Sequence, residues 1–282
     1  ELLEINYSRG KIYCPLSIEH LLETVKKDLN GATKHDSYYR KLSDNYLLKT
    51  EPFLTSQLIS SLIRKNKFTL NTFLKTEKTK SIDDIYSQIN KNNQIFDESV
   101  TYKLSSQNDL RKKLNPRMSN KLEFQFMNTI KKIEVDNFKN RLKEYLKVKS
   151  LKIRPDNYGK HQFPNWTDQI LFQLTNKHKF KEKQFKHLLI ELERNGFNRI
   201  PTLNTRFSLG AYLTVKNKQE NTGDHIDIMR ISSYLFSSDI FFTDRKRKYE
   251  ICDLGLDKKY NTKVFSGVKA DLIEVINLLK EM

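Results

Sequence analysis

The stretch "HIDIMRISSYLFSSDIFFTDRK", residues 225–246, decides how the rest of the chain is read. An acid opens an amphipathic helix. An apolar strand follows and runs straight into a second acid. The pattern predicts a helix over residues 227–236 and a strand over 239–243, with a further helix from about Arg245. Asp227 then marks a helix entry and Asp244 a strand exit. Downstream, "TKVFSG" reads as a short strand and "VKADLIEVINLLKEM" as a last helix. Strand, helix, strand, helix is an α/β pattern, and it predicts parallel pairing.

The N-terminal end repeats this in outline. Residues 11–15 read as a short strand, and Ser17 caps a helix with apolar positions at Ile18, Leu21, Leu22 and Val25. The middle reads as helical. "TSQLISSLIRKNKFTLNTFL" is a helix capped by Thr55 or Ser56, and residues 75–120 are polar and broken, with one or two short helices. A long amphipathic helix or pair follows, capped by Ser119. Two more helices split near residues 176–178 and stop at Gly196. A further helix begins in "RIPTLNTRF" and ends in a polar loop. The expected fold class is therefore α/β: a parallel sheet flanked by helices, with a large all-helical insertion. Residues 1–50 and 200–282 would form the core, and residues 51–199 the helical lobe.

Composition narrows the function. There are 51 Lys and Arg against 34 Asp and Glu among 282 residues, a net charge of +17. That surplus makes a polyanion the first partner to consider, although a Lys/Asn-rich coding bias would decorate a surface in the same way. Two cysteines far apart offer no disulfide framework or zinc signature, which suits a reducing cytoplasm. No apolar run approaches the roughly 20 residues of a membrane span, and no basic segment carries a clear membrane-binding face. A protein partner or a homo-oligomer stays open.

Active groups of open α/β sheets gather beyond the carboxyl ends of the strands. Asp244 is expected there, Asp227 at a helix start facing the same crevice, and Glu23 in the helix after the first strand. Three carboxylates sharing an edge would hold Mg²⁺ or Mn²⁺, hard ions that prefer oxygen. Such an ion can activate water for attack on a phosphodiester. Each acid also has an ordinary reading: Asp227 as a first-turn acid, Asp244 as a helix cap, Glu23 on a solvated face. Asp224 competes with Asp227, and Asp239 with Asp244. His20 and His225 read as proton shuttles, phosphate contacts or satisfied histidines. Arg230, Arg245, Lys246, Arg247 and Lys248 are candidate phosphate contacts. "SLKIRPDNYGKHQFPNW" mixes cations with aromatics, as single-strand binders do. Its Trp166 reads equally as core.

The segment "DIMRISSYLFSSDIFFTDRKRK" resembles the C-terminal half of a PIN-like nuclease domain, where an acid opens a helix and a T-D closes a strand. "KIYCPLSIEHLLET" resembles the bacterial form of that family through Ser17, His20 and Glu23. "IPTLNTRFSLGAYLTVKNKQENTGDHID" is similar to the helix and loop before its third acid. The similarity covers about a third of the chain, at its two ends. It implies a cytoplasmic, metal-dependent endonuclease acting on RNA before DNA, with Glu23, Asp227 and Asp244 as metal-site acids. A place in bacterial defence or a toxin system is also implied. The family's first strand carries an Asp, and nothing in "ELLEINYSRGKIYCP" fits. The expectation is that this strand lies upstream of Glu1. The alternative is a catalytically degenerate nucleic-acid-binding or scaffold module, in which the acids are dispersed or paired with Lys and Arg. A purely helical interaction domain is a third reading.

Overall fold

The structure is a computed structural model and describes residues 1–24, 37–44, 46–74, 82–113, 120–148 and 152–282. Val25 and Ser119, a predicted core position and a predicted cap, lie outside the described residues. The chain divides into two compact units. The first comprises Glu1–Thr50, Phe73–Gln94 and Tyr234–Met282; the second comprises Glu51–Thr72 and Ile95–Ser233. The first unit runs to Thr50 and resumes at Tyr234, and residues 73–94 go with the two ends.

Helix dominates the second unit. Gly and Pro are scarce, 8 and 6 in the whole chain, so few residues interrupt helical runs. The unit contains α3 (Glu51–Arg64), α6 (Asn120–Val148), α7 (Trp166–Asn176), α8 (Glu182–Asn195), α9 (Pro201–Val215) and most of α10 (Thr222–Tyr234). It also takes α5 (Ile82–Lys113) from Ile95 onward. Each helix offers an apolar stripe at helical spacing. Phe185, Leu188 and Leu192 of α8 meet Ile170, Leu171 and Leu174 of α7, with Phe138 and Leu142 of α6 and Ile59 of α3. Asp168 ties α6 to α7. It is fully buried, receives both Arg141 and the Arg154 backbone N–H (2.8 Å), and accepts through Oδ2 from Arg141 Nη2 at 2.7 Å. Helix α8 ends as predicted, at Gly196 with φ +54, a conformation costly for any residue with a Cβ.

The first unit holds α1 (Leu2–Ser8), α2 (Ile18–Thr24), α4 (Leu70–Phe73) in part, the first part of α5, and the C-terminal elements. These last are β3 (Ile240–Phe242), α11 (Arg245–Asp253), α12 (Leu256–Tyr260), β4 (Lys263–Phe265) and α13 (Lys269–Glu281). Residues 37–43 are also helical. β3 and β4 pair in parallel, Phe241 opposite Val264. Phe265, Val275 and Leu279 pack with Leu2, Leu3, Ile12 and Ile240. Ser17 caps α2, its Oγ accepting from His20 N at 3.1 Å.

The expected α/β class, with a large parallel sheet, is overturned. Among the described residues there are two sheets of two strands each: β3–β4, and an antiparallel hairpin of β1 (Pro155–Tyr158) and β2 (His161–Pro164). Residues 11–15 form no strand. Only Leu16 bridges Leu47, and Leu48 bridges Leu74. A three-residue strand closes too few ladder bonds to recruit further neighbours, and Pro15 removes a donor just before Leu16. The polar region 75–120 is likewise corrected: residues Ile82–Lys113 form one continuous helix. Polarity there reflects a largely solvated helix that buries Val100, Leu104 and Arg111.

Truncating Phe185 to Ala is expected to cost about 3–5 kcal/mol, because the ring is almost wholly buried among other rings. Gly196→Ala should cost about 1 kcal/mol through the left-handed φ alone, since a Cβ would meet Val135 only at ordinary contact distance. Urea unfolding of the two variants measures both.

Candidate functional site: a buried charged centre in the helical unit

The three sequence-predicted acids fall into different surroundings. Asp244 stands at the end of β3, as expected. Its side chain caps α11, accepting from Arg247 N at 2.7 Å. Asp227 does not open its helix. Asn221 and Asp224 exchange backbone-to-side-chain hydrogen bonds (2.8 and 3.1 Å), a reciprocal cap that starts α10 at Thr222 and leaves Asp227 in the second turn. There Asp227 Oδ1 pairs with Arg230 Nη2 at 3.0 Å. Glu23 is half-buried near the end of α2, while Glu19, four residues earlier, is the fully buried acid of that helix. Tyr234 Oη reaches Glu19 at 3.4 Å and the Lys49 carbonyl at 3.0 Å. Glu23 and Asp244 belong to the first unit and Asp227 to the second. Among the described residues no three His, Cys, Asp or Glu side chains are placed to share a metal ion.

The candidate phosphate contacts also separate. Arg245 and Lys246 are exposed. Arg247 is fully buried against Glu250, and Lys248 Nζ is held by Asp271 at 2.7 Å. Arg230 is the partner of Asp227. The basic-aromatic stretch folds as the β1–β2 hairpin, turning at Gly159 (φ +62) and Lys160. His161 and Lys160 both reach Glu98, at 2.9 and 2.8 Å. Trp166 opens α7, with its ring 6.4 Å from that of Phe207.

A more demanding arrangement lies inside the second unit. Arg206 is the single cation of α9, a helix otherwise buried on nearly all sides. Its guanidinium stacks over the Trp166 ring at 5.1 Å and pairs with the buried Glu51 at the start of α3. Glu51 Oε1 also accepts from Ser232 Oγ at 2.8 Å. Burial pushes the Glu51 carboxyl upward in pKa, against the pull of Arg206 and Ser232. Glu134, on α6, is pushed up by burial as well. Lys103 of α5 faces the same centre. Its Nζ lies 5.8 Å from the Tyr158 ring, and no carboxylate of the described residues lies within 4.0 Å of it. Burial, then the Arg206 charge, takes Lys103 down to about 8, although Glu51, Glu220 and Asp156 pull the other way. Asp156 is itself engaged, accepting from Asn165 Nδ2 at 3.0 and 3.2 Å.

Arg111 and Glu220 close the far side at 2.5 Å, both about 5 % exposed. Asn108 fixes the loop, donating to the Glu220 carbonyl at 2.8 Å and accepting its N–H at 3.0 Å. Burial alone would raise the Glu220 carboxyl. Instead His225, with Nδ1 at 3.8 Å, and Arg111 hold it at about 2. His225, largely desolvated, falls to about 4 and is neutral at pH 7. Of these titratable groups only His225 was singled out from sequence, while Trp166 and Tyr158 entered through the basic-aromatic stretch. A lone Arg in the apolar run "TLNTRFSLGAYLTV" is the signal that exposes the rest, because a charge on an all-round buried helix must find a buried partner.

One surface feature is equally ordered. From the end of α7 into the first turn of α8, His178 and Phe180 are buried while Lys177, Lys179, Lys181 and Lys183 are exposed, with the acid Glu182 exposed among them. His178 is fixed by Ser56 Oγ (3.3 Å) and, through its carbonyl, by Arg64. The lysines therefore project from an anchored turn. Comparison with protein-family models, curated proteins and solved structures finds no match. The resemblance to PIN-like nucleases rests on its motifs alone.

Replacing Arg111 by Met should destabilise the fold by about 3–5 kcal/mol, because Glu220 is left charged and buried. The Glu220 carboxyl is depressed on folding, so its contribution is present above its ordinary value of 4.5 and is lost as pH falls towards 2. His225 is also depressed, so the unfolded chain takes its proton first, and stability declines from about pH 6.5 down to 4. Unfolding free energy measured from pH 8 to 3 is expected to fall throughout the acid range, and Arg111→Met should flatten the lower part of that curve.

Proposed function

We propose that the chain is a nucleic-acid-binding protein that prefers single-stranded RNA to DNA. The observation that carries this reading is the anchored turn with Lys177, Lys179, Lys181 and Lys183 exposed in seven residues. Two facts support it as more than coding bias. The intervening His178 and Phe180 are buried, which ties Lys177, Lys179 and Lys181 to a packed segment. Eight acids, Glu51, Glu98, Glu123, Asp168, Glu220, Asp227, Glu250 and Asp271, are each matched by a cation, and the chain as a whole keeps a surplus of 17 positive charges. A polyanion gains most where fixed cations meet it, through counterion release.

A second reading, metal-dependent phosphodiester hydrolysis at Asp244 with Mg²⁺ or Mn²⁺, is favoured by one observation. Asp244 stands at the carboxyl end of β3 in a parallel β3–β4 pair, where α/β proteins place active groups. The pairing of Asp227 with Arg230 and the capping role of Asp244 favour the binding reading, since both acids already have structural work.

Binding of labelled single-stranded RNA should weaken at least about tenfold when the four lysines become Gln. The slope of log affinity against log salt should fall by about 3, at roughly 0.7 per lost single-strand contact. Equal binding by that variant and the parent would remove the proposal. Incubating the same RNA with Mn²⁺ tests the second reading. Cleavage abolished by Asp244→Asn would establish the nuclease.

A further inference from the structure

A half-open pocket of about 210 Å³ lies in the helical unit, lined by Tyr145, Leu146, Phe180, Glu182 and Phe185. Phe180 and Phe185 are buried and form its floor, while Tyr145 and Leu146 of α6 are half-buried and form its wall. The rings meet edge to face, with Phe185 5.0 Å from Tyr145 and 5.4 Å from Phe180 between centroids. Each ring is tied down. Tyr145 Oη accepts from Thr175 Oγ1 at 3.2 Å, and Phe180 N donates to the Leu174 carbonyl at 2.9 Å. The Arg64 guanidinium lies 5.4 Å over the Phe180 ring. Rings held in this way lose little freedom when a ligand arrives.

Cations border this pocket, and none belongs to its lining. Phe180 and Glu182 alternate in sequence with the exposed Lys179, Lys181 and Lys183, and the exposed Arg64 adds a cation beside Phe180. The single charged residue of the lining is Glu182, whose Oε1 pairs with Lys186 Nζ at 2.7 Å. A phosphate therefore meets a carboxylate inside and lysines outside. An uncharged planar ring meets three aromatic side chains. The volume falls below the roughly 300–1,000 Å³ that holds a drug-sized ligand, which suits one ring system.

The geometry points to a base-binding pocket: it takes one unpaired base of an RNA strand whose phosphates lie on Lys179, Lys181 and Lys183. This inference rests on the reading of the lysine turn as a nucleic-acid contact, and it adds the means by which a single strand is chosen. Lysines read only the charge of a backbone. A base inside a duplex is paired and stacked, and entering the pocket would cost both interactions. An unpaired base can splay out and stack on an aromatic side chain. Stacking tolerates any sequence, because every base has a π face.

The test measures binding of the full chain to two labelled probes of about ten nucleotides, a single-stranded RNA and the same ribose-phosphate strand with every base removed. The abasic strand is expected to bind at least about fivefold more weakly, with an unchanged salt slope because its phosphates are intact. Tyr145→Leu keeps an apolar wall and removes the ring. It should weaken RNA binding by a similar factor and leave abasic-strand binding as it was, with circular dichroism and urea unfolding reporting that the variant is folded. The comparison of the two probes on the parent chain needs no variant. Equal affinity of the parent for both probes overturns the pocket and leaves the lysine contact standing. A weak abasic strand, combined with a folded Tyr145→Leu that binds RNA as the parent does, places the stacking elsewhere and also overturns it. If the four-lysine Gln variant binds both probes as the parent does, the underlying reading falls and this inference with it.

Discussion

The pairing of the half-buried Arg206 of α9 with the fully buried Glu51 is the constraint around which the helical unit is arranged. A helix as apolar as "TLNTRFSLGAYLTV" packs on several sides, and a guanidinium in its middle is costly unless a carboxylate is buried with it. Glu51 meets that need from the start of α3, and Ser232 of α10 holds the same carboxyl. Thr55, one turn further along α3, bonds to Thr202 of α9 at 2.8 Å, extending the polar seam between the two helices. Once these helices are fixed, α5 and the β1–β2 hairpin bring Lys103, Asp156 and Tyr158 against the same charge. Apolar burial supplies most of the stability.

Other carboxylates take structural roles nearer the ends of elements. Asp168, Glu220 and Asp271 each hold backbone or cationic groups that position a turn or a helix. With 51 Lys and Arg against 34 Asp and Glu the chain is strongly cationic, and four exposed lysines fall within residues 177–183.

Local signals were legible and non-local ones were not. The break between α7 and α8, the stop at Gly196, the Ser17 cap and the Asp244 cap all follow from residues within one or two turns. The parallel pairing of β3 and β4 was also readable, because a strand–helix–strand run has few alternatives. The larger sheet was not. It was read from strand-like runs at both ends of the chain, and residues 11–15 form no strand, the one bridge there being that of Leu16 to Leu47. The start of α10 was misread although "NTGD" carries a reciprocal cap, because the more apolar Asp227 segment drew the boundary. The continuous α5 was hidden by its polarity. The charged centre was invisible for a different reason: Glu51, Lys103, Arg206 and Glu220 are scattered over 170 positions, and only packing brings them together.

A double-mutant cycle between Glu51 and Arg206, read by urea unfolding, tests the central claim most directly. The account predicts that Glu51→Gln and Arg206→Met each destabilise by about 3–5 kcal/mol, while the double variant costs about 3 kcal/mol less than their sum. Additive losses would contradict it, because they would mean that the two charges are buried independently and do not organise the packing around them.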